Sequence, residues 1–181
     1  MFRRSILAAT VIGASLVSLA VPSAARGLSH LGGTRTHIAE TEAAPFFQLP
    51  FPCNETWYMS SYPSHPAYAI DFHATAYGST QQGRTVVASH AGTTRVSDTG
   101  VDDPSGNSGG LGYSVVVTDG VYSTYYGHLR RGSASGLNGQ SVSAGTKIGE
   151  IGSTGASTAA HLHFELRVNG ARQPAVFNGQ G

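Results

Sequence analysis

The sequence predicts a mainly β fold, a single compact domain of antiparallel sheets over residues 51–181 with long loops walling a groove. Three observations carry this. Only 12% of the residues are charged while 24 of 181 are glycine, which suits strands and tight turns better than surface helices with charged faces. Two β-branched and aromatic runs, Tyr113 to Thr118 and Val121 to Tyr126, are joined by Asp119-Gly120, a strong hairpin signal. Ser141 to Gly152 alternates apolar residues between turn glycines.

The chain begins differently. Met1-Phe2-Arg3-Arg4 is a positive start, Ile6 to Val21 is almost unbroken apolar sequence, and Ser23-Ala24-Ala25 fits the small-residue cleavage rule. Residues 1–25 therefore read as a secretion signal peptide cut after Ala25. The mature chain is then secreted, extracellular or cell-wall associated, with no stable membrane insertion, since the apolar run falls short of the ~20 residues that span a bilayer. Residues 26–50 show no clear period and read as a linker or short pro-segment, with His30 and His37 as solvated tail histidines. A net charge of +1 with no basic run interleaved with aromatics argues against nucleic acid as a partner. Cys53 is the only cysteine and, between Phe51-Pro52 and Trp57, reads as a buried structural thiol. One domain of this size is expected to be a monomer.

From Arg84 onward the elements follow in order. Thr85 to Ala88 and Thr93 to Val96 flank His90-Ala91-Gly92, a tight β connection with His90 at the turn. Asp98 to Gly112 is a polar, glycine-rich loop long enough to form one wall of the groove; Asp102 and Asp103 lack the ligand spacing of a calcium loop and read as solvated. The hairpin that follows delivers His128 to a strand end. Tyr125 and Tyr126 alternate faces, so one packs inward while the other is free to line the groove. The segment around Lys147 looks like the small β modules that carry lipoyl or biotinyl groups, but Lys147 lacks their flanking pattern. Ser153 to Thr158, with Ser157 near its end, is a loop of small residues that lets a bound chain approach closely.

The loop enters the most informative stretch, His161-Leu162-His163-Phe164-Glu165. In a strand, His161 and His163 share one face while Leu162 and Phe164 enter a core. Glu165 shares the histidine face, either orienting an imidazole or capping the strand end in solvent. Ser64-His65-Pro66 and Ile70-Asp71-Phe72 add a histidine and an aspartate, and Gly127-His128-Leu129 adds another imidazole. His65, Asp71 and His163 make a two-nitrogen, one-oxygen set that leaves one tetrahedral position for water, as catalytic zinc sites do. His128 and His161 then flank the open position as proton carriers or oxyanion stabilisers. His73, on the same strand face as Asp71, is a rival ligand.

The order His…Asp, then Tyr-Gly-His-Leu, then Gly-Ser-Thr-Gly…His-Leu-His-Phe-Glu resembles the lysostaphin-type, LytM-like zinc endopeptidases that cut peptidoglycan peptides, over about residues 53 to 178. The resemblance implies that residues 51–181 are a peptidase domain, that His65, Asp71 and His163 bind Zn2+, that His128 and His161 are catalytic, and that peptidoglycan peptides are the partner. Tyr125, Tyr126 and Ser157 are the substrate-contacting candidates on the groove. The sequence departs from the family in one place, since five residues separate His65 from Asp71 where many members of the family it resembles have three. The expected activity is hydrolysis of peptide bonds in cross-links or bridges by a metal-activated water. A non-catalytic wall-binding or regulatory domain of the same fold is the alternative.

Overall fold

The computed structural model describes residues 47–74 and 81–178, all within the unit spanning residues 42–181. The signal peptide with its cut after Ala25, His30, His37 and the first part of the expected linker lie outside the described residues.

Among the described residues the regular structure is β. In chain order the strands are β1 (Tyr58–Ser60), β2 (Ile70–His73), β3 (Thr85–Val87), β4 (Gly92–Asp98), β5 (Asp102–Asp103), β6 (Tyr113–Asp119), β7 (Tyr122–Gly127), β8 (Ser141–Val142), β9 (Lys147–Glu150), β10 (Gly155–Ala156), β11 (Leu162–Val168) and β12 (Ala171–Gln173). The main sheet runs β1-β2-β11-β7-β6-β4-β8, and its pairs are antiparallel. Strand β12 returns along β11 on the same edge as β2, but at the opposite end, so β11 is central.

Alternation along β11 decides what lies where. Leu162, Phe164 and Leu166 point into the core with Phe72 of β2 and Tyr126 of β7, while His163 and Glu165 take the other face. The second layer is the small β3-β9 sheet, whose Val86 and Ile148 are fully buried against the same cluster. Burying a side chain the size of Phe164 is worth roughly 1.5–3 kcal/mol, so this face fixes the register of β11 and hence the aim of its histidines.

Several expectations needed correction. Phe47 is 5% exposed and bridges to Phe177, so the packed domain already includes residues 47–50, which the sequence reading gave to the linker. Cys53 is exposed rather than buried. Strands β3 and β4 belong to different sheets, and His90 between them is buried, held by Thr124 Oγ1 and the Ala91 carbonyl. In the β6-β7 hairpin, Asp119 pairs with Tyr122, so the two-residue loop is Gly120-Val121, with Gly120 at φ 55° in the first central position that a type II′ turn reserves for glycine.

The Asp98 to Gly112 loop is pinned, not merely solvated. Arg131 joins Asp98 and Asp102 at 2.6 and 2.9 Å, and β5 pairs in parallel with β10. Where this loop crosses the 153–158 loop, Gly112 and Gly155 meet: a Cβ on Gly155 would stand 2.3 Å from the Gly112 nitrogen, and both have positive φ. Only two glycines fit this crossing, which brings both loops to the rim of the groove.

Candidate metal centre

The groove is a cavity of about 530 Å3 on the histidine face of β2 and β11. The register explains the gathering. Asp71 of β2 lies directly opposite His163 of β11, and Gly127 of β7 flanks His163 on its other side. With no side chain at Gly127, the next residue, His128, turns over the same spot through a left-handed backbone, φ 58°. Histidine adopts this conformation more readily than bulky apolar residues do.

His65 reaches the site by a different route. Two turns fold its loop: His65 N donates to the Tyr62 carbonyl at 2.8 Å and Ala69 N to the Pro66 carbonyl at 3.0 Å, with Tyr68 at φ 64° between them. The turns take up the extra residues, and the long His65 to Asp71 spacing closes into a short contact. His65 Nε2, Asp71 Oδ1 and His163 Nδ1 stand at the corners of a triangle with every edge 3.1 Å. Among the described residues, these three bring their donor atoms close enough together to hold a metal ion.

The triangle suits a cation. A tetrahedral ion with bonds of about 2.0–2.1 Å spaces its ligand atoms roughly 3.3 Å apart, close to the observed edges. His163 Nε2 lies 3.1 Å from Glu165 Oε1; donating its proton there leaves Nδ1 as a lone pair facing the Asp71 carboxylate. Three electron-rich atoms then converge, and positive charge is required between them. The ionisation of the metal-free group follows the same logic. Burial pulls the His163 imidazole down, but hydrogen bonds to Asp71 and Glu165 overcome this and hold it above its ordinary value. Burial pushes Asp71 up, yet the neighbouring His161 and His163 imidazoles take it well below the usual carboxylate range.

His128 and His161 sit beside the triangle, with ring centres 4.7 Å apart. His128 Nδ1 donates to the Thr154 carbonyl at 2.7 Å and His161 Nδ1 to the Ala159 carbonyl at 2.8 Å. Each backbone carbonyl selects the tautomer whose Nε2 is unprotonated, and His161 Nε2 is 3.5 Å from Asp71 Oδ1. Burial, with the neighbouring His161, lowers the His128 pKa to about 4, so its ring is neutral near pH 7. The arrangement can therefore accept and pass protons beside a Lewis-acid position.

Other expected site residues lie elsewhere. Tyr126 is fully buried, its hydroxyl receiving the Ser89 and Thr124 donors, so it is a core residue with no surface for a substrate. Tyr125 is not on the cavity lining; its ring carries the Arg167 guanidinium at 4.1 Å. Ser157 is 2% exposed, with its hydroxyl bonded to the Ala159 carbonyl and 3.4 Å from His161 Nδ1, so it braces His161 rather than meeting a ligand. His73 stacks on His161, ring centres 5.6 Å apart, and meets Ser60 Oγ; it is outside the triangle. Glu165 is buried rather than solvated, gathering His163, Arg167 and Arg172. Sequence reasoning missed Tyr62, Arg167 and Arg172 on the lining. Arg167 was findable, since alternation from His163 places it on the same face.

The profile of Peptidase family M23 matches residues 67–174, beginning just after His65-Pro66. A DD-carboxypeptidase/endopeptidase Mpg of Neisseria meningitidis is 44% identical over 78 residues, which cover 42% of this chain and 17% of that protein. Lysostaphin of Staphylococcus simulans is 43% identical over 65 residues, covering 36% of this chain and 13% of that protein. The chain thus matches less than a fifth of the length of these curated relatives. Among solved structures, the M23 metalloprotease pseudoalterin from the deep sea shares the fold, with a TM-score of 0.55 and 23% identity over 72% of this chain and 75% of that one. A zinc-containing peptidase from Vibrio cholerae gives a TM-score of 0.52 and 26% identity over 70% of this chain and 38% of that one.

Proposed function

Because the chain belongs to peptidase family M23, we propose that it is a secreted, zinc-dependent endopeptidase that hydrolyses peptide bonds in peptidoglycan cross-links or bridges, acting as a monomer outside the cell or on the wall. The observation that carries the reading is the ligand triangle of His65, Asp71 and His163 with two tautomer-fixed histidines at its side. The wall peptide as substrate is supported by the names of the relatives, a DD-carboxypeptidase/endopeptidase and lysostaphin. Zinc is favoured by the donor set, two imidazole nitrogens and one carboxylate oxygen with a fourth position left over.

When bound, zinc supplies Lewis acidity, lowering the pKa of a water toward ~7 and polarising a carbonyl. The protein's own groups do the rest. Asp71 and His163 are held by opposite strands of one sheet, so the ligand geometry is preset by β2-β11 pairing. Glu165 fixes the His163 tautomer and thereby the nitrogen that faces the cavity. The Nε2 atoms of His128 and His161 receive the proton of the attacking water and return one to the leaving amine, while an imidazolium formed on either stabilises the developing oxyanion. Ser157 and the Ala159 carbonyl keep His161 from turning away.

The test uses the purified secreted chain. Zinc stoichiometry and release of new amines from peptidoglycan are measured with and without a chelator. About one zinc per chain with chelator-sensitive, zinc-restored cleavage is expected. Bound zinc with no amine release from several wall types would reject the endopeptidase reading.

A further inference from the structure

Arg167 and Arg172 stand directly opposite each other on β11 and β12, on the same face as His163 and Glu165. Like charges facing across strands destabilise a sheet, so this pairing needs a reason. Glu165 offsets part of the cost: its Oε2 accepts from Arg167 Nε at 2.7 Å, and its Oε1 lies 2.9 Å from Arg172 Nε. One carboxylate, which also receives His163 Nε2, thus answers two guanidinium groups. Both arginines line the cavity beside the metal centre. Arg172 meets Glu165 through Nε, and its side chain is 38% exposed.

The permanent charges facing the cavity are Asp71, Glu165, Arg167 and Arg172. Asp71 belongs to the ligand triangle and one Glu165 carboxylate is shared by two guanidinium groups, so the β12 end keeps a net positive charge on a partly exposed, planar guanidinium fork. Such a fork matches a carboxylate. We propose that Arg172, supported by Arg167, binds a carboxylate of the substrate, so that the enzyme prefers anionic peptides over neutral ones such as oligoglycine; this rests on the peptidase reading. From His163 to Arg167 is four residues of strand, about 13 Å between Cα atoms, and an arginine side chain shortens that by several ångströms. At ~3.5 Å per extended residue, the carboxylate sits one to three residues from the cleaved bond. It is either a terminal carboxylate or one borne within the chain.

The experiment compares soluble cross-linked muropeptides with their free carboxylates against the same peptides amidated only at the C-terminus or only at the internal carboxyl, using the full zinc-loaded chain. The wild-type protein is expected to favour one free-acid form by about tenfold or more in kcat/KM, mostly through KM, with the preference shrinking at high salt. Whichever amidation abolishes it identifies the carboxylate. In Arg172→Gln the acid-to-amide ratio falls to about one, while Arg172→Lys retains part of it. A wild-type ratio near one, or equal losses on acid and amide peptides in Arg172→Gln, would overturn the proposal. If the wild-type chain cleaves none of these peptides, the peptidase reading fails separately. Calorimetric titration of the same acid and amide peptides then decides the carboxylate site, with equal affinities counting against it.

Discussion

Glu165 lies 3.1 Å from the outer nitrogen of His163, while the inner nitrogen of that imidazole is 3.1 Å from Asp71. The imidazole is thus gripped from behind by a buried carboxylate that two arginines hold in place. Replacing Glu165 with Gln keeps the shape but weakens the grip and removes the counter-charge between Arg167 and Arg172. Metal affinity is expected to fall by about 10–100-fold. Competition against a chromogenic chelator measures this directly, and unchanged affinity would show that Glu165 serves only the arginines.

The two candidates for the first histidine ligand separate cleanly. His65 Nε2 is a corner of the triangle, whereas His73 stacks on His161 and meets Ser60. His65→Ala should therefore lose stoichiometric zinc, and His73→Ala should keep it. Metal analysis after dialysis gives the answer; retention in His65→Ala with loss in His73→Ala would reverse the assignment.

Much of this was legible in the residues because the deciding signals are local. Period-2 alternation over His161 to Glu165 gave the face of each side chain, and the hairpin runs around Asp119-Gly120 gave β6 and β7. What escaped depends on the third dimension. Alternation shows that Tyr125 and Tyr126 point oppositely, but not that Tyr125 ends under Arg167. Ser157 looked like a substrate-facing small residue, and only the fold reveals that its hydroxyl is spent on the His161 turn. The pairing of β3 with β9, distant in sequence, was likewise invisible to short-range patterns.

Acid should destabilise the metal-free protein. Burial pushes Glu165 up, but hydrogen bonds from His163, Arg167 and Arg172 bring its pKa to about 2 against an ordinary 4.5. A depressed folded-state pKa contributes stability that is present above 4.5 and is lost as pH falls toward 2. His128, lowered to about 4 from 6.5 mainly by burial, acts in the same sense between those values. His163 opposes them, because its raised pKa contributes stability at low pH that fades as pH rises through it. Below pH 4.5 the carboxylates dominate, so the Tm of the chelated chain should drop steadily from pH 4.5 to 3. A flat Tm over that interval would mean Glu165 is not held ionised.

In the proposed mechanism His128 and His161 move protons and His65, Asp71 and His163 hold the metal. Alanine at either position is expected to lower kcat by about 10²–10⁴-fold while zinc stays bound. The double variant should lose far less than the product of the two single losses, since the rings act as a pair 4.7 Å apart. Zinc loss in His161→Ala would move that residue into the ligand set, as its Nε2 approaches Asp71 Oδ1 to 3.5 Å.

Tyr68 offers a stability test that leaves the chemistry aside. It occupies the third position of the Pro66 to Ala69 turn at φ 64°, where a type II turn calls for glycine. A left-handed backbone costs a bulky L-residue about 1–2 kcal/mol, and the residue is 56% exposed, so it recovers little by burial. Glycine removes that strain but loses about 0.4–1 kcal/mol through the greater freedom of the unfolded chain. The net expectation for Tyr68→Gly is a gain of about 0.5–1 kcal/mol, read as a modest rise in Tm, with zinc affinity retained because the turn still delivers His65. A fall in Tm would show that the exposed ring is braced by its neighbours, and that the strain in the His65 loop is offset by contacts of Tyr68 itself.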